Sequence, residues 1–592
     1  MRLKTVEGPV EETKEVRAAL KARVNATKKK RSRSRKRRKA TTVAPTSALP
    51  LAEAFPFNVL ETRDNSEPPP ASSGLVFRVG PRKDLENFVG PTLVRLGLKE
   101  TKGMDWQVYV GLQFKTEYEK NYLLAPNGSL MSSMPGLKET LGDKEAFSRL
   151  WRQCLTRGLL ELCSWTTPSY NLAHKIFENE FALAVEGGAE EFLKHIKEYG
   201  NLPSTYIVKP QRRYLSLGMH LAIFHFEDAK NVETFATWAK REVPAAEKKK
   251  KYHTKQPGEF TIQKYVERPA LLGKRKFDLR LWVLIASLEP LSIYLLDKAF
   301  PKISVQDYKG QDLPLNNSTL NEKCMHILMM VPEFCRKKTA IPVYPYAYPG
   351  TTSSPSFFEN LDLKQESSWR HWQRTLWPSL EQTILLPLLL ARPSLREHDA
   401  RIFGTFDNDA SRRYDRFALL SPDAVYDTDA ETWRLEEINT NGLFQIGSDD
   451  PGIKTFHKDQ GYTEGWMHLV GATDFPNKIR YEASLQKHLD SFCSRVTCDK
   501  RERRQLERSA HQNAHVSNGW YRLYPPVNCE PHCGLRQYKD IRKNKLFNKF
   551  FEEDLSLLER KHFDFLDILD TAYFRSRRPT ETSSSIFPDY II

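Results

Sequence analysis

Lys276, Asp278 and Arg280 stand two residues apart in the run Arg275-Lys276-Phe277-Asp278-Leu279-Arg280-Leu281. A β-strand sends successive side chains to opposite faces. This spacing therefore predicts two cations and a carboxylate on one face, with Phe277, Leu279 and Leu281 on the other. Two cations around one carboxylate leave a surplus of positive charge that suits an anion such as phosphate. A half-exposed strand with a solvated outer face is the plain alternative. A second set lies in Phe417–Asp427 and Trp433–Asn439, which read as a hairpin. Glu437 and Asn439 fall on one face of its second strand, with Asp423 within pairing distance on the first. Two carboxylates and an amide oxygen form a hard, oxygen-only set that suits Mg²⁺, which completes its octahedron with water and phosphate oxygens; ordinary polar strand residues are the alternative. Lys209 closes a third segment, the strand Ser204–Pro210, where an ammonium can act as a point charge on a phosphate.

The elements around these residues alternate between strand and helix signals. Leu75–Val79, Trp106–Leu112 and Leu291–Leu296 read as strands, and Trp282–Ala286 is apolar on both faces, as in a sheet covered on both sides. Helical spacing covers Leu85–Leu98, Ala189–Tyr199, Trp369 up to Pro387, Leu485–Leu506 and Phe547–Phe565, and Asp143 is placed to cap a helix starting at Lys144. Residues 227–256, ending in Lys248–Lys251, read as a charged loop, and 393–413 as a polar insertion.

Composition narrows the class. The first 50 residues hold 16 Lys and Arg against 4 Glu, so most of the net charge of +16 belongs to this segment. The block Lys28–Lys39 repels itself and is expected to be disordered. It suits a nuclear-localisation signal, a nucleic-acid contact or a tether to acidic protein tails. No apolar run reaches the length of a bilayer span, which argues against a membrane protein, and the charged first residues argue against a secretion signal. Eight scattered cysteines lack a disulfide-framework spacing, which fits a reducing compartment. Cys529, His532 and Cys533 do not have the spacing of a paired zinc site.

Taken together, Ile207-Val208-Lys209-Pro210, Gln263-Lys264-Tyr265-Val266, Arg275 to Arg280 and Glu437-Ile438-Asn439 resemble, in this order, the signatures of the tubulin–tyrosine ligase-like family. The resemblance covers roughly 85–470 and extends to Trp520–Pro525. It implies an α/β (α+β) fold of the ATP-grasp ligase type. The expected division is a disordered basic tail (1–80), an α/β amino-terminal region (81–200), the nucleotide- and Mg²⁺-binding ligase core (201–470), a mostly helical carboxy-terminal extension (471–578) and a tail (579–592).

The resemblance also implies roles. Lys209, and Lys144 in the Thr140–Lys144 segment, would hold the phosphates of ATP. Gln263, Lys264, Tyr265 and Val266 would form the adenine hinge, largely through backbone. Lys276 and Asp278 would contact adenine and ribose, Arg280 would stabilise charge on the transferred phosphoryl group, and Asp423, Glu437 and Asn439 would hold Mg²⁺. Asn316 and Asn317 stand where the family has His-Leu-Thr-Asn, with Pro314 in place of His. Lys302 stands where an arginine is expected, and it cannot pair bidentately with a carboxylate. The loop after Lys209 is poor in glycine.

The implied activity joins a free amino acid (Glu, Gly or Tyr) to a carboxylate of an acidic protein tail, tubulin or microtubules first, with a catalytically inactive module binding such tails as the alternative. The implied setting is a monomer in the cytoplasm, associated with cytoskeleton or cilium. Nucleic acid and the nucleus enter only through the basic tail.

Overall fold

The computed structural model describes residues 74–80, 86, 89–103, 105–111, 130–132, 134–157, 162–172, 175–177, 180–182, 204–210, 222–226, 260–304, 306–309, 323–326, 357, 361–363, 371–403, 415–440, 462–470, 472, 478–500, 502–503, 506–507, 520–525 and 557–576. All lie within the unit Phe55–Ile592. The basic block, the helix over 189–199, the 227–256 loop, Pro314 with Asn316 and Asn317, Cys529, His532, Cys533 and the final tail lie outside the described residues.

In chain order the elements begin with β1 (Val76–Val79), α1 (Gly90–Arg95), β2 (Lys99–Glu100), β3 (Val108–Val110), β4 (Leu130–Met131), α2 (Lys144–Thr156) and β5 (Ser169–Leu172). Then come β6 (Lys175–Phe177), β7 (Glu180–Ala182), β8 (Ser204–Pro210), β9 (Ala222–Phe226), β10 (Phe260–Lys264) and β11 (Leu271–Leu272). β12 (Arg275–Arg280), β13 (Val283–Leu288), β14 (Leu291–Leu296), β15 (Phe300–Ile303), α3 (Lys323–His326) and β16 (Leu361–Asp362) follow. The last are α4 (Trp377–Phe403), β17 (Asp415–Arg416), β18 (Ala418–Asp427), β19 (Thr432–Asn439), α5 (Tyr462–Leu469), α6 (Lys478–Val496), β20 (Trp520–Tyr524) and α7 (Leu557–Ser576).

Three main sheets result, giving the α/β architecture expected from the sequence. A parallel five-stranded sheet runs β17-β4-β3-β1-β2, and an antiparallel four-stranded sheet runs β5-β10-β8-β9. The nine-stranded sheet runs β16-β11-β12-β18-β13-β14-β20, with β15 on β12 and β19 on β18.

The large sheet is buried on both faces, as the Trp282–Ala286 run predicts. Val283, Ile285, Ile293, Leu295, Ala418 and Leu420 enter one core, with Phe277, Leu279 and the α4 residues Leu380, Ile384 and Leu388. Their neighbours Trp282, Leu284, Tyr294, Leu296, Phe417 and Leu419 enter a second core, with Phe77, Val108 and Val110 of the parallel sheet and Trp466 and Met467 of α5. Period-two alternation between two apolar environments fixes the strand register, because a slip by one residue would exchange every side chain.

The structure corrects several expectations. α4 does not end at Pro387. It runs unbroken through Pro387 and Pro393 to Phe403, so 393–403 is helix and not insertion. Each proline removes one backbone donor, and the burial of Leu385, Leu388, Leu389 and Ala391 in the core around it offsets that loss. Asp143 stands at the first cap of α2 but makes no side-chain cap; it pairs with Lys138 at 3.4 Å. β20, expected within a helical extension, adds a strand to the large sheet beside β14. The cysteines are not all thiols: Cys154 is joined to Cys163 and Cys493 to Cys498. Both pairs are local staples, at sequence separations of 9 and 5, rather than a framework. Among the described residues, no helix is long and apolar enough to cross a membrane.

α7 docks through Phe565, Leu566 and Leu569 against Leu485, Leu489 and Phe492 of α6, and through the buried Glu559–Arg392 ion pair against α4. His562 on α7 is fully buried and neither ring nitrogen has a hydrogen-bond partner. Burial, and then the nearby Arg522 charge, push its pKa down to about 3. In the unfolded chain the ring takes its proton near pH 6.5. Its contribution is thus present above that value and is lost as pH falls towards about 3, on the order of 1.4 kcal/mol per pH unit. Urea unfolding midpoints measured across this window are expected to fall less steeply for His562→Leu than for the wild type. Parallel slopes would contradict this account.

Candidate active site

The site is built at one irregularity in the β18–β19 ladder. Asp423 pairs with Glu437, but the next residue, Ala424, pairs with Leu435. Glu436 is thus the extra residue of a β-bulge, which re-aims side chains where it occurs. Strict alternation would send Glu436 away from Glu437. Instead both line one narrow cleft together with Lys144, Lys209 and Gln263. Glu436 was missed by sequence reasoning. The signal that could have found it is the pair Lys209 and Lys276, two cations that need a counter-charge when buried.

The face predicted for β12 is the one observed: Lys276, Asp278 and Arg280 are all buried opposite the core residues Phe277 and Leu279. Arg280 donates to both oxygens of Asp423, Nε to Oδ1 at 2.8 Å and Nη2 to Oδ2 at 2.7 Å. Lys302, on β15, lies between two carboxylates, 3.4 Å from Asp278 Oδ2 and 3.0 Å from Asp423 Oδ2. Lys276 donates to Glu436 Oε1 at 3.2 Å and sits 4.7 Å from the centroid of the Tyr265 ring. Lys209 donates to Gln263 Oε1 at 2.7 Å and to the Glu436 carbonyl at 3.4 Å. Gln263 passes the chain on to Thr166 Oγ1, and Thr166 to the Leu435 carbonyl. One residue of the bulge therefore meets a lysine from each of two sheets. Lys144, at the start of α2, pairs with Glu437 at 3.4 Å.

This density of charge governs protonation. Burial resists ionisation of Glu437, but Lys144 and then Lys209, Lys302 and Arg280 outweigh it and hold the carboxyl well below its usual range. Glu436 is likewise buried, and Lys276, Lys209 and Lys302 pull it down. Asp278 goes the other way: burial, then the neighbouring Glu436 charge, raise it to about 7. Its Oδ1 is buried without a hydrogen-bond partner. Burial lowers Lys209. For Lys276, Arg280 and Lys302 burial acts in the same direction, but the facing carboxylates prevail and raise them.

Gln263, Lys264 and Tyr265 do not offer a free backbone edge. β10 is flanked by β5 and β8, the Lys264 amide donates to the Pro168 carbonyl, and the Tyr265 amide donates to the Thr205 carbonyl. The Lys264 carbonyl accepts from Thr167 Oγ1 at 2.7 Å. A backbone hinge for a base would therefore fall to the Tyr265 carbonyl, Val266 and beyond, with Lys276 over the Tyr265 ring beside it.

Asp423, Glu437 and Asn439 come together, as their spacing predicts. Asn439 Nδ2 lies 3.3 Å from Asp423 Oδ2 and 3.3 Å from Glu437 Oε1. The amide turned over would direct its oxygen to the same point, giving three hard donors for a divalent cation. No group of three His, Cys, Asp or Glu could hold a metal among the described residues, and Asn439 is an amide within reach of both carboxylates. These donors fit Mg²⁺. Lys144, Lys209 and Lys276, with the orphan acceptor on Asp278, fit an anionic nucleotide.

Residues 156–330 match the family model described as Tubulin-tyrosine ligase family. The chain is similar to Tubulin polyglutamylase TTLL7 of Homo sapiens, 24% identical over 359 residues, or 52% of this chain and 36% of that protein. It is similar to the Probable beta-tubulin polyglutamylase of Tetrahymena thermophila, 24% identical over 278 residues (45% and 22%), and to Tubulin polyglutamylase TTLL6 of Mus musculus, 22% identical over 315 residues (51% and 33%). The chain thus spans a third or less of the length of most of these relatives, 36% in the first case.

Gly142 joins α2 to this site. A Cβ placed there would lie 2.5 Å from Thr440 Oγ1 and 2.6 Å from Thr440 Cγ2. Gly142→Ala is expected to push the turn carrying Lys144 away from Glu437 and to cost about 1–3 kcal/mol of stability. Thr440→Ala in the same chain is expected to restore most of it. A double-mutant cycle by chemical denaturation measures this coupling, and additive effects would refute the contact.

Proposed function

Because the chain belongs to the tubulin–tyrosine ligase-like family, we propose that it is an ATP-dependent ligase joining a free amino acid to a side-chain carboxylate of an acidic protein tail, with tubulin the first acceptor. The observation that carries this reading is the convergence of Lys144, Lys209 and Lys276, from three separate elements, beside the Asp423–Glu437–Asn439 set. Cationic points next to hard oxygen donors are what a nucleotide triphosphate with its metal needs.

In this proposal an acceptor carboxylate oxygen forms a bond to the γ-phosphorus and ADP leaves. The amine of the amino acid then attacks the acyl carbon, phosphate departs, the amine loses a proton and an amide remains. The metal, when bound, would supply Lewis-acid neutralisation of phosphate charge. Lys209 and Lys144 would hold phosphate oxygens as point charges. Lys276, stacked on Tyr265, would face the base and ribose. Arg280, whose Nε and Nη2 are held by Asp423, would offer its remaining Nη1 donors to the charge that develops on the transferred group, a stabilisation that preorganised donors supply. Lys302, held between Asp278 and Asp423, would neutralise these carboxylates first and meet an amino-acid carboxylate only by sharing them. Its similarity to tubulin polyglutamylases supports glutamate as the amino acid.

The test is incubation of the purified chain with ATP, Mg²⁺, tubulin and radiolabelled Glu, Gly or Tyr in turn. Label is expected from Glu, reduced about a hundredfold or more by Glu437→Gln, which keeps shape and removes a metal-binding charge. ATP binding with no label from any amino acid on tubulin would favour the catalytically inactive module that binds acidic tails.

A further inference from the structure

The turn that ends α6 is held in three ways at once. Thr497, just past the helix, has φ +52°, a left-handed conformation that helix ends usually give to glycine and that a β-branched residue rarely takes. Its amide donates to the Cys493 carbonyl at 3.0 Å. Asp499 and Glu502 then cap each other: the Glu502 amide donates to Asp499 Oδ1 at 2.8 Å and the Asp499 amide to Glu502 Oε2 at 3.0 Å. The Cys493–Cys498 disulfide spans the left-handed residue and joins the two devices. α7 depends on the result. Lys561 Nζ donates to the Thr497 carbonyl at 2.9 Å and to the two oxygens of Glu502 at 2.9 and 2.7 Å. Its side chain is 14% exposed and that of Glu502 17%, so a turn that opens leaves a nearly buried charge without its partner. Cys493 and Cys498 also pack against the small core of Leu489, Phe492, Phe565 and Leu566 that α7 shares with α6.

The two disulfides differ in access. Cys154 and Cys163 are 0% and 3% exposed, whereas Cys493 and Cys498 are half-buried in a turn whose residues 494–497 are exposed. Exchange needs an incoming thiolate to reach a sulfur. We propose that Cys493–Cys498 is a site of reversible thiol–disulfide exchange with a dithiol reductant, and that its state sets how firmly α7 is docked. A reductant thiolate attacks one sulfur to form a mixed disulfide, and the other cysteine leaves as a thiolate and takes a proton. The reductant's second thiolate then closes its own disulfide and releases the first cysteine, so two electrons pass to the pair. Once open, the loop loses the constraint that holds its ends together. Thr497 can then leave the left-handed region, and its carbonyl leaves Lys561. The Glu559–Arg392 pair and the apolar contacts remain, so α7 loosens while the sheet behind it keeps its fold.

The experiment takes the full chain through buffers of rising dithiothreitol, with thiols trapped by alkylation and located by mass spectrometry. Cys493 and Cys498 are expected to open roughly tenfold or more faster than Cys154 and Cys163. In samples with only the first pair open, hydrogen exchange of the α7 amides is expected to rise about tenfold or more, with that of β12 and β18 unchanged, and to return on reoxidation. Cys493→Ala with Cys498→Ala is expected to show the fast α7 exchange without reductant and no response when it is added. Lys561→Met is expected to lose most of the difference between the two redox states, which a disulfide acting only through the apolar core would leave in place. Four results would overturn the inference: equal opening of the two pairs, α7 exchange that does not respond, Lys561→Met that keeps the full difference, or Cys493 and Cys498 found as thiols in protein purified without reductant. Should the variants fail to fold, the reductant series on the wild type decides alone. None of these readouts uses nucleotide or tubulin, so failure here leaves the ligase reading untouched.

Discussion

Arg280, Asp423, Asp278 and Lys302 are taken out of water together, and each is a cross-strand partner of another. Arg280 is in register with Asp423 across β12 and β18, and Asp278 with Lys302 across β12 and β15. Removing one member of such a buried set leaves an unpaired charge, at a cost of about 3–5 kcal/mol. The same ladder fixes the other face, where Phe277 and Leu279 enter the core. A slip of one residue would bury the charges in that core and expose the apolar side chains to the cleft. Charge pairing and hydrophobic burial thus demand the same register, and the cleft inherits its precision from this agreement.

The other elements serve that register. α4 and the parallel sheet with α5 cover the two faces of the large sheet, which allows its middle strands to be apolar throughout. The four-stranded sheet brings Lys209 and Gln263 to the seam, where Thr166 and Lys209 donate to consecutive carbonyls of the bulge at Leu435 and Glu436. Two sheets that share no strand are joined there by side chains. The close approach of Gly142 to Thr440 sets α2, and with it Lys144, against the end of β19.

Much of this was legible because burial enforces period two. The β12 face, the β18–β19 hairpin and the convergence of Asp423, Glu437 and Asn439 all follow from spacing. What was not legible has local causes. A bulge leaves no mark in composition: Glu436-Glu437 reads as one residue in and one out until a partner strand imposes two against one. Pro387 and Pro393 carry a strong helix-ending signal, and only burial among leucines from distant segments overrides it. β20 is short and separated from its partner β14 by more than two hundred residues of chain, so nothing near Trp520 announces which sheet it joins. The hinge expected at Gln263–Val266 falls where the amides of Lys264 and Tyr265 and the Lys264 carbonyl are already bonded to neighbouring segments, which only those neighbours reveal.

Asp423 carries the sharpest conflict between the ion pairs it makes and the metal role proposed for it. Its Oδ2 receives Arg280 at 2.7 Å, Lys302 at 3.0 Å and Asn439 at 3.3 Å, while Oδ1 receives Arg280 alone. A carboxylate oxygen has two lone-pair directions, so Oδ2 is oversubscribed and the longest contact, that of Asn439, is the weakest of the three. A cation on this carboxylate has to replace a donor. Under the proposed metal reading, turning the Asn439 amide over would remove the donor from both Asp423 and Glu437 and present an acceptor in the same place, at the loss of the 3.1 Å hydrogen bond from Nδ2 to the Ser421 carbonyl. Arg280 and Lys302, held to Asp423 by shorter contacts than Asn439, would keep the strand register.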